Sequence, residues 1–276
     1  MTAELAVQPK RKREGDGLTA LLTGASGGIG WELARCFAQD GYNLVLAARS
    51  GGQLQTLARE LAEEYMISAV PITCDLSQPG AGTRLVEELD ARGIAVDVLV
   101  NNAGYGLRGA FAESNLAGQL GMVDLNVRTL VELTNLLWPR ILKCGRGGLL
   151  NVASTAAFQP GPMMATYSAT KAFVLSLTEA LWEEARPTKL RVSCLCPGAT
   201  ATQFAGRAGM DQARLYHARV MSAQQVARLG YRAFKEGRRI EITGLGNALM
   251  VLAGRFSPRR IVLKIARRQM NTHRMP

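Results

Sequence analysis

The chain has 276 residues, 47% of them hydrophobic, and a formal net charge of +11. That length buries one large core or two small ones. No apolar run reaches the length of a membrane-spanning helix, and the five cysteines show neither a disulfide framework nor a zinc-like Cys-x-x-Cys spacing, so spanning, stapled and zinc-clasped proteins are excluded.

Residues 1–16 contain Lys10, Arg11, Lys12 and Arg13 and read as a basic, disordered tail. They show no apolar leader, which together with the unpaired cysteines points to the cytoplasm. Positions 18–23 form a short apolar strand that runs into a glycine-rich turn. Gly24, Gly28 and Gly30 give it the spacing Gly-x-x-x-Gly-x-Gly, and a helix follows with Leu33, Ala34, Phe37 and Ala38 on one side. Strand, glycine turn and helix together cradle a pyrophosphate. The glycines let the backbone approach it, and the helix start offers unpaired N–H groups and a positive dipole end. A second strand, 43–48, ends at Arg49. An acidic residue there would bind a ribose 2′-hydroxyl, whereas an arginine accommodates the 2′-phosphate of NADP.

Further strands are expected at 69–73, 97–101, 148–153, 190–195 and 239–243, with long helical stretches near 115–143 and 165–186. Strands alternating with helices predict one α/β domain over 17–245: a three-layer, doubly wound parallel sheet of about seven strands, helices on both faces. Ser154, Tyr167 and Lys171 carry the chemistry. Tyr167 and Lys171 are four apart, hence one turn apart on one helix face. A nearby ammonium favours the phenolate and makes the phenol a usable proton donor or acceptor. A serine hydroxyl arriving from a strand end could hydrogen-bond a substrate carbonyl.

In this order the motifs resemble those of the short-chain dehydrogenase/reductase family, over roughly residues 17–245. Thr-Gly-Ala-Ser-Gly-Gly-Ile-Gly (23–30) is similar to its cofactor turn, which implies nucleotide contacts at Gly24, Ser26, Gly28, Ile29 and Gly30. Cys-Asp-Leu (74–76) places Asp75 against an adenine ring, with Leu76 beside it. Asn-Asn-Ala-Gly (101–104) implies contacts from Asn101, Ala103 and Gly104. Pro-Gly-Ala-Thr-Ala-Thr (197–202) is similar to the segment holding the nicotinamide carboxamide, here Pro197, Gly198, Thr200 and Thr202. Ser154, Tyr167 and Lys171 match three members of a catalytic tetrad, and Asn126 matches the fourth, a holder of water that links the lysine to solvent. Tyr167 and Lys171 would also touch the cofactor. The resemblance implies an NADP(H)-dependent carbonyl reductase or alcohol dehydrogenase that needs no metal. It looks most like the broad bacterial branch of NADP-linked ketone and aldehyde reductases. A ketoacyl or lipid-ketone reductase, and a non-catalytic NADP(H)-binding sensor or scaffold, are the alternatives.

The segment 199–221 is expected to form the substrate lid, with Phe204, Met210, Leu215 and Tyr216. Tyr105, Phe111, Phe158, Met163 and Met164 are further lining candidates, so the small-molecule carbonyl or alcohol substrate is read as apolar or mixed. Arg207, Arg214 and Arg219 leave room for an anionic group. Residues 246–276 form a basic amphipathic extension: positions 255–276 carry seven Lys or Arg and no acid. Arg260, Lys264, Arg267 and Arg268 wheel to one side, Ile261, Val262, Ile265 and Met270 to the other. Such a helix packs its apolar face on its own domain or a partner, or lies peripherally on a membrane through 247–270. No nucleic-acid module accompanies the charge. The apolar helices predict a homodimer or homotetramer.

Overall fold

The computed structural model describes residues 13–210 and 220–270. Its elements in chain order are β1 (Thr19–Thr23), α1 (Gly28–Gln39), β2 (Asn43–Ala48), α2 (Gly51–Tyr65), β3 (Ala69–Thr73), α3 (Ala81–Ala91), β4 (Val98–Asn101), α4 (Leu116–Val123), α5 (Thr129–Cys144), β5 (Gly148–Val152), α6 (Ala165–Ala185), β6 (Arg191–Cys196), β7 (Thr200–Ala201), α7 (Phe204–Arg207), β8 (Met221–Ser222), α8 (Ala223–Lys235), β9 (Ile240–Ile242), α9 (Leu245–Phe256) and α10 (Arg259–Met270). Each predicted strand is present within a residue or two of its expected bounds.

Seven of the strands form one sheet in the order β3-β2-β1-β4-β5-β6-β9, with every pairing parallel. Period-two alternation assigns their side chains to two cores. Ala20 and Leu22 of β1 face one layer with Leu33 and Phe37 of α1, Leu57 of α2 and Phe234 of α8. Leu21 faces the other with Leu85 of α3, Leu137 of α5 and Ala185 of α6. Strand order reverses between β1 and β4. The chain winds outward to β3 and then returns, which leaves a crevice at the carboxyl ends of these two central strands.

Residues 13–16, read from sequence as tail, belong to the fold. Arg13 Nη1 donates to the Tyr65 carbonyl at 2.8 Å, Gly15 N donates to Asp40 O at 2.8 Å, and Glu14 pairs with Arg191 and Lys235. Residues 1–12 lie outside the described residues. Between α4 and α5 the chain forms a π-helical turn, Asp124–Arg128, where the Thr129 N–H reaches back to Asp124 O. Nothing in the periodicity of 115–143 announces it.

Candidate active site

The glycine turn joins β1 to α1 at the crevice. Gly24 holds φ at +66°, a region L side chains rarely adopt, and a Cβ there would meet Ala103 and Asn102 at 2.9 Å. At Gly30 a Cβ would lie 2.3 Å from the Gly24 carbonyl and 2.4 Å from Asn102 Nδ2. The turn is therefore coiled tightly against the end of β4. Two residues outside the predicted set fasten it. Asn102 Nδ2 donates to the Thr23 and Gly24 carbonyls at 3.0 and 3.1 Å, and Thr23 Oγ1 accepts from the Asn102 and Ala103 amides, both at 3.0 Å. Both sit inside the matched motifs, at 23–30 and 101–104. The helix that follows begins without a side-chain cap, so no side chain competes for its first N–H groups.

One cavity of about 330 Å³ runs from this turn across the carboxyl ends of the strands. It is lined by Gly24, Ser26, Gly28, Ile29, Arg49, Asp75, Leu76, Ala103, Gly104, Ser154, Tyr167, Lys171, Pro197, Gly198, Thr200 and Thr202. Three predicted residues stand behind the lining. Gly30 provides close packing. Asn101 is buried in a ladder from α5 to α6: its Nδ2 donates to Thr134 Oγ1 at 3.0 Å and to Asn151 Oδ1 at 2.9 Å, and Asn151 donates on to Thr178. Asn126 is the third.

The nucleotide end fits a dinucleotide on its own geometry. It offers a backbone cradle that side chains would fill and an uncapped helix start, and exposed Arg49 stands at the end of β2 on the cavity wall. Asp75 at the end of β3 is held as an acceptor by Ser77, whose amide and hydroxyl donate to it at 3.1 and 2.7 Å, and by Gln78. Ser77's hydrogen bonds, with the Arg49 charge as a smaller contribution, keep its carboxyl below the usual range.

The chemical end is built on α6 and the strand end of β5. Tyr167 and Lys171 share one face of α6, with Nζ 5.9 Å from the tyrosine ring centre. Lys171 is 5% exposed and donates to the Val152 carbonyl at 2.8 Å, which fixes its ammonium under the cavity floor. Burial lowers its pKa from 10.5 to about 8. Beneath it Cys194 and Cys196, on one side of β6, are core thiols as expected, with sulfurs 3.8 Å apart. Ser154 accepts from the Ala156 amide at 3.1 Å and donates to Pro197 O at 3.4 Å, a long contact for a hydroxyl. Its proton is thus available to a better acceptor in the cavity.

Asn126 is bonded to protein through both polar atoms of its side chain. Its Oδ1 accepts from the Tyr105 amide at 3.1 Å, and its Nδ2 donates to Tyr105 O at 3.0 Å and Thr170 Oγ1 at 3.1 Å. Thr170 Oγ1 in turn donates to the Tyr167 carbonyl at 2.7 Å. Both amide hydrogens are spent on protein, so the side chain ties the Tyr105 loop to the turn carrying Tyr167. The π-helical turn is what brings it there.

On the substrate side Tyr105, Met164, Phe204, Arg207 and Met210 line the cavity as expected, with Phe204 5.5 Å from Tyr167 between ring centres. Phe111, Phe158 and Met163 do not line it, and Phe111 is 68% exposed. Leu215, Tyr216, Arg214 and Arg219 lie outside the described residues. The expected lid is joined by a wall absent from the sequence reading: Met250 of α9 with Gln269 and Met270 of α10. Arg108 Nε donates to Met270 O at 2.9 Å and fastens that wall to the rim.

The sequence profile described as short chain dehydrogenase matches residues 18–213. The chain belongs to the short-chain dehydrogenase/reductase family of oxidoreductases. A very-long-chain 3-oxoacyl-CoA reductase of Phaeosphaeria nodorum is 35% identical over 188 residues, 65% of this chain and 54% of the relative, so the chain spans about half that protein's length. A short-chain dehydrogenase from Sphingobium yanoikuyae in complex with NADPH is 33% identical, with 86% of this chain and 93% of that one covered and a TM-score of 0.76. A family member from Burkholderia phymatum in complex with NAD is 27% identical, with 87% and 93% covered and a TM-score of 0.77.

Proposed function

We propose that this protein reduces the carbonyl of a ketone or aldehyde with NADPH, reversibly, by a Ser154, Tyr167 and Lys171 mechanism. The observation that carries the reading is the convergence of these three residues on the same cavity wall as the glycine turn. The nucleotide would be held by the glycine turn, Arg49, Asp75, Ala103, Gly104 and the 197–202 segment, and when bound it supplies hydride to the carbonyl carbon. Ser154 donates its hydroxyl proton in a hydrogen bond to the carbonyl oxygen and orients it. Tyr167 gives that oxygen a proton as negative charge builds there. The fixed ammonium of Lys171 favours negative charge on the phenol oxygen once its proton has left, and its burial strengthens the effect. Asn126 is a positioning residue that holds Tyr105 and Thr170 around this centre.

Arg49 supports NADP over NAD, because an exposed guanidinium at the end of β2 suits a 2′-phosphate. The cavity's methionines and phenylalanine support an apolar or mixed substrate. We read the protein as a cytoplasmic enzyme; the exposed Val131, Leu136 and Leu142 of α5 and Phe173 of α6 support its acting as a homodimer or homotetramer. Micromolar protein should scatter light as such an oligomer, and a monomer would remove that reading.

The direct test is cofactor oxidation over a panel of ketones, aldehydes and ketoacyl thioesters, with NADPH and NADH in parallel. Tyr167→Phe should lower kcat roughly 10²- to 10⁴-fold, the usual worth of a positioned proton donor, while leaving NADPH binding intact. Tight NADPH binding with no turnover on any carbonyl would favour the sensor reading instead.

A further inference from the structure

We propose that α9 and α10 form a docking hairpin that seats the substrate wall of the cavity on an anionic lipid bilayer. Along α9, Leu245, Leu249, Leu252 and Phe256 recur at helical spacing and are 86%, 65%, 55% and 80% exposed. On α10 the side chains divide. Val262 and Ala266 are buried and Met270 lines the cavity, whereas Ile261 and Ile265, one turn apart, are 49% and 51% exposed. The apolar residues grouped by the sequence wheel thus serve two surfaces, one inward and one outward. Lys264 and Arg268 lie on the outward face of α10 beside Ile261 and Ile265.

Charge selects the occupant. Arg255, Arg259, Arg260, Lys264, Arg267 and Arg268 are all exposed, and 242–270 holds no acidic residue. A second copy packing its own hairpin on this one would bring the same cations together, which repels. A surface that is both apolar and anionic satisfies the two features together, and a bilayer with acidic headgroups is one. No helix among the described residues is long and apolar enough to cross a membrane, so the hairpin lies in the interface.

The hairpin also carries Met250, Gln269 and Met270 of the cavity wall. A docked molecule would therefore hold its substrate pocket against lipid, and a carbonyl compound dissolved in the bilayer would reach Tyr167 without crossing water. This delivery step rests on the reductase reading above; the docking does not.

Full-length protein sedimented with vesicles tests it. Binding is expected to phosphatidylcholine vesicles containing phosphatidylserine, to weaken with salt, and to be absent with phosphatidylcholine alone. Phe256→Asp with Leu252→Asp, and separately Lys264→Glu with Arg268→Glu, should each raise the lipid needed for half binding by roughly tenfold or more. All four residues are exposed, so melting temperature and NADPH binding should stay unchanged. Failure of the wild type to bind anionic vesicles, or binding that neither pair of substitutions weakens, overturns the proposal. So does a loss of oligomer size on Phe256→Asp without vesicle binding, which would mark the face as self-association. Delivery predicts that the same variants slow reduction of a long-chain ketone held in vesicles several-fold while sparing a short water-soluble one, and equal effects on both refute it. Vesicle binding without turnover of any ketone would leave docking standing and sink the reductase reading.

Discussion

The nucleotide end and the substrate end of the cavity are built on different principles. At the nucleotide end the protein presents mostly backbone. Gly24 and Gly30 allow approach, Asn102 and Thr23 lock the turn through four hydrogen bonds, and parallel strands fix the whole from below. At the substrate end it presents flexible side chains from separate segments: Met164 before α6, Met210 after α7, Met250 on α9 and Met270 ending α10. A backbone site tolerates almost no change of shape, whereas a methionine-lined wall re-packs around different occupants. One fold can thus keep its cofactor chemistry and vary what it reduces.

The sharpest way to break this contrast is Gly30→Ala. Its Cβ would fall on the Gly24 carbonyl and Asn102, neither of which can swing aside. Overpacking of this kind costs roughly 1–3 kcal/mol, and the strain falls on the turn itself. Dinucleotide affinity, measured by fluorescence titration, should drop roughly tenfold to a hundredfold for NADPH and NADH alike. Gly27→Ala is the control. Its Cβ meets nothing within 4 Å, its φ of 174° is ordinary extended backbone, and the melting temperature should hold. Equal effects at the two positions would mean that the turn is not rigid.

Much of the nucleotide end is legible in the sequence because it depends on residue type at fixed spacing. Gly24 combines a dihedral that L side chains rarely adopt with a backbone too close for a Cβ, and a short apolar run bounded by turns makes β1. Asn126 is legible as a motif residue but its side-chain partners are not, since the π-helical turn that brings it to them depends on one extra residue in the hydrogen-bond ladder. The wall from α9 and α10 was hidden for another reason. Val262 and Ile261 are adjacent and equally apolar, so a helical wheel cannot tell which is covered. Only the course of the chain back over the cavity decides it.

Arg49→Ala separates the two cofactors. A charge-assisted hydrogen bond is worth roughly 1.5–3 kcal/mol, so Kd for NADPH should rise about tenfold to a hundredfold and Kd for NADH hardly move. A proportionate loss of both would assign Arg49 to general shape and leave phosphate recognition without a carrier.

Lys171 titrates within reach of experiment. Burial brings its folded pKa to about 8, against 10.5 when unperturbed. If its positive charge is what assists Tyr167, kcat for reduction should fall as pH rises through about 8; a flat profile from 7 to beyond that point would remove the charge from the mechanism. Stability moves the other way. Between about 8 and 10.5 the unfolded chain binds more protons than the folded one, so this group makes the fold more stable as pH rises across that window. Below it, both states are protonated and the cost of the buried cation is full. Lys171→Met should therefore raise the melting temperature at pH 7 while kcat collapses, since an apolar side chain of similar length removes that cost.

The smallest effect is expected at the methionine wall, and it bears most directly on the contrast. Met250→Ala or Met270→Ala removes apolar surface worth about 0.8 kcal/mol per methylene contacted, but neighbouring thioethers can move into the space. KM for a bulky ketone should rise about twofold to fivefold, with kcat for a short ketone and affinity for NADPH unchanged. Met270 carries a second test, because its carbonyl also accepts from Arg108 and the alanine variant keeps that bond. If Met270→Ala instead lowers the melting temperature and weakens both ketones equally, the methionine supports the closure of α10 over the rim. The substrate end would then be as rigid as the nucleotide end.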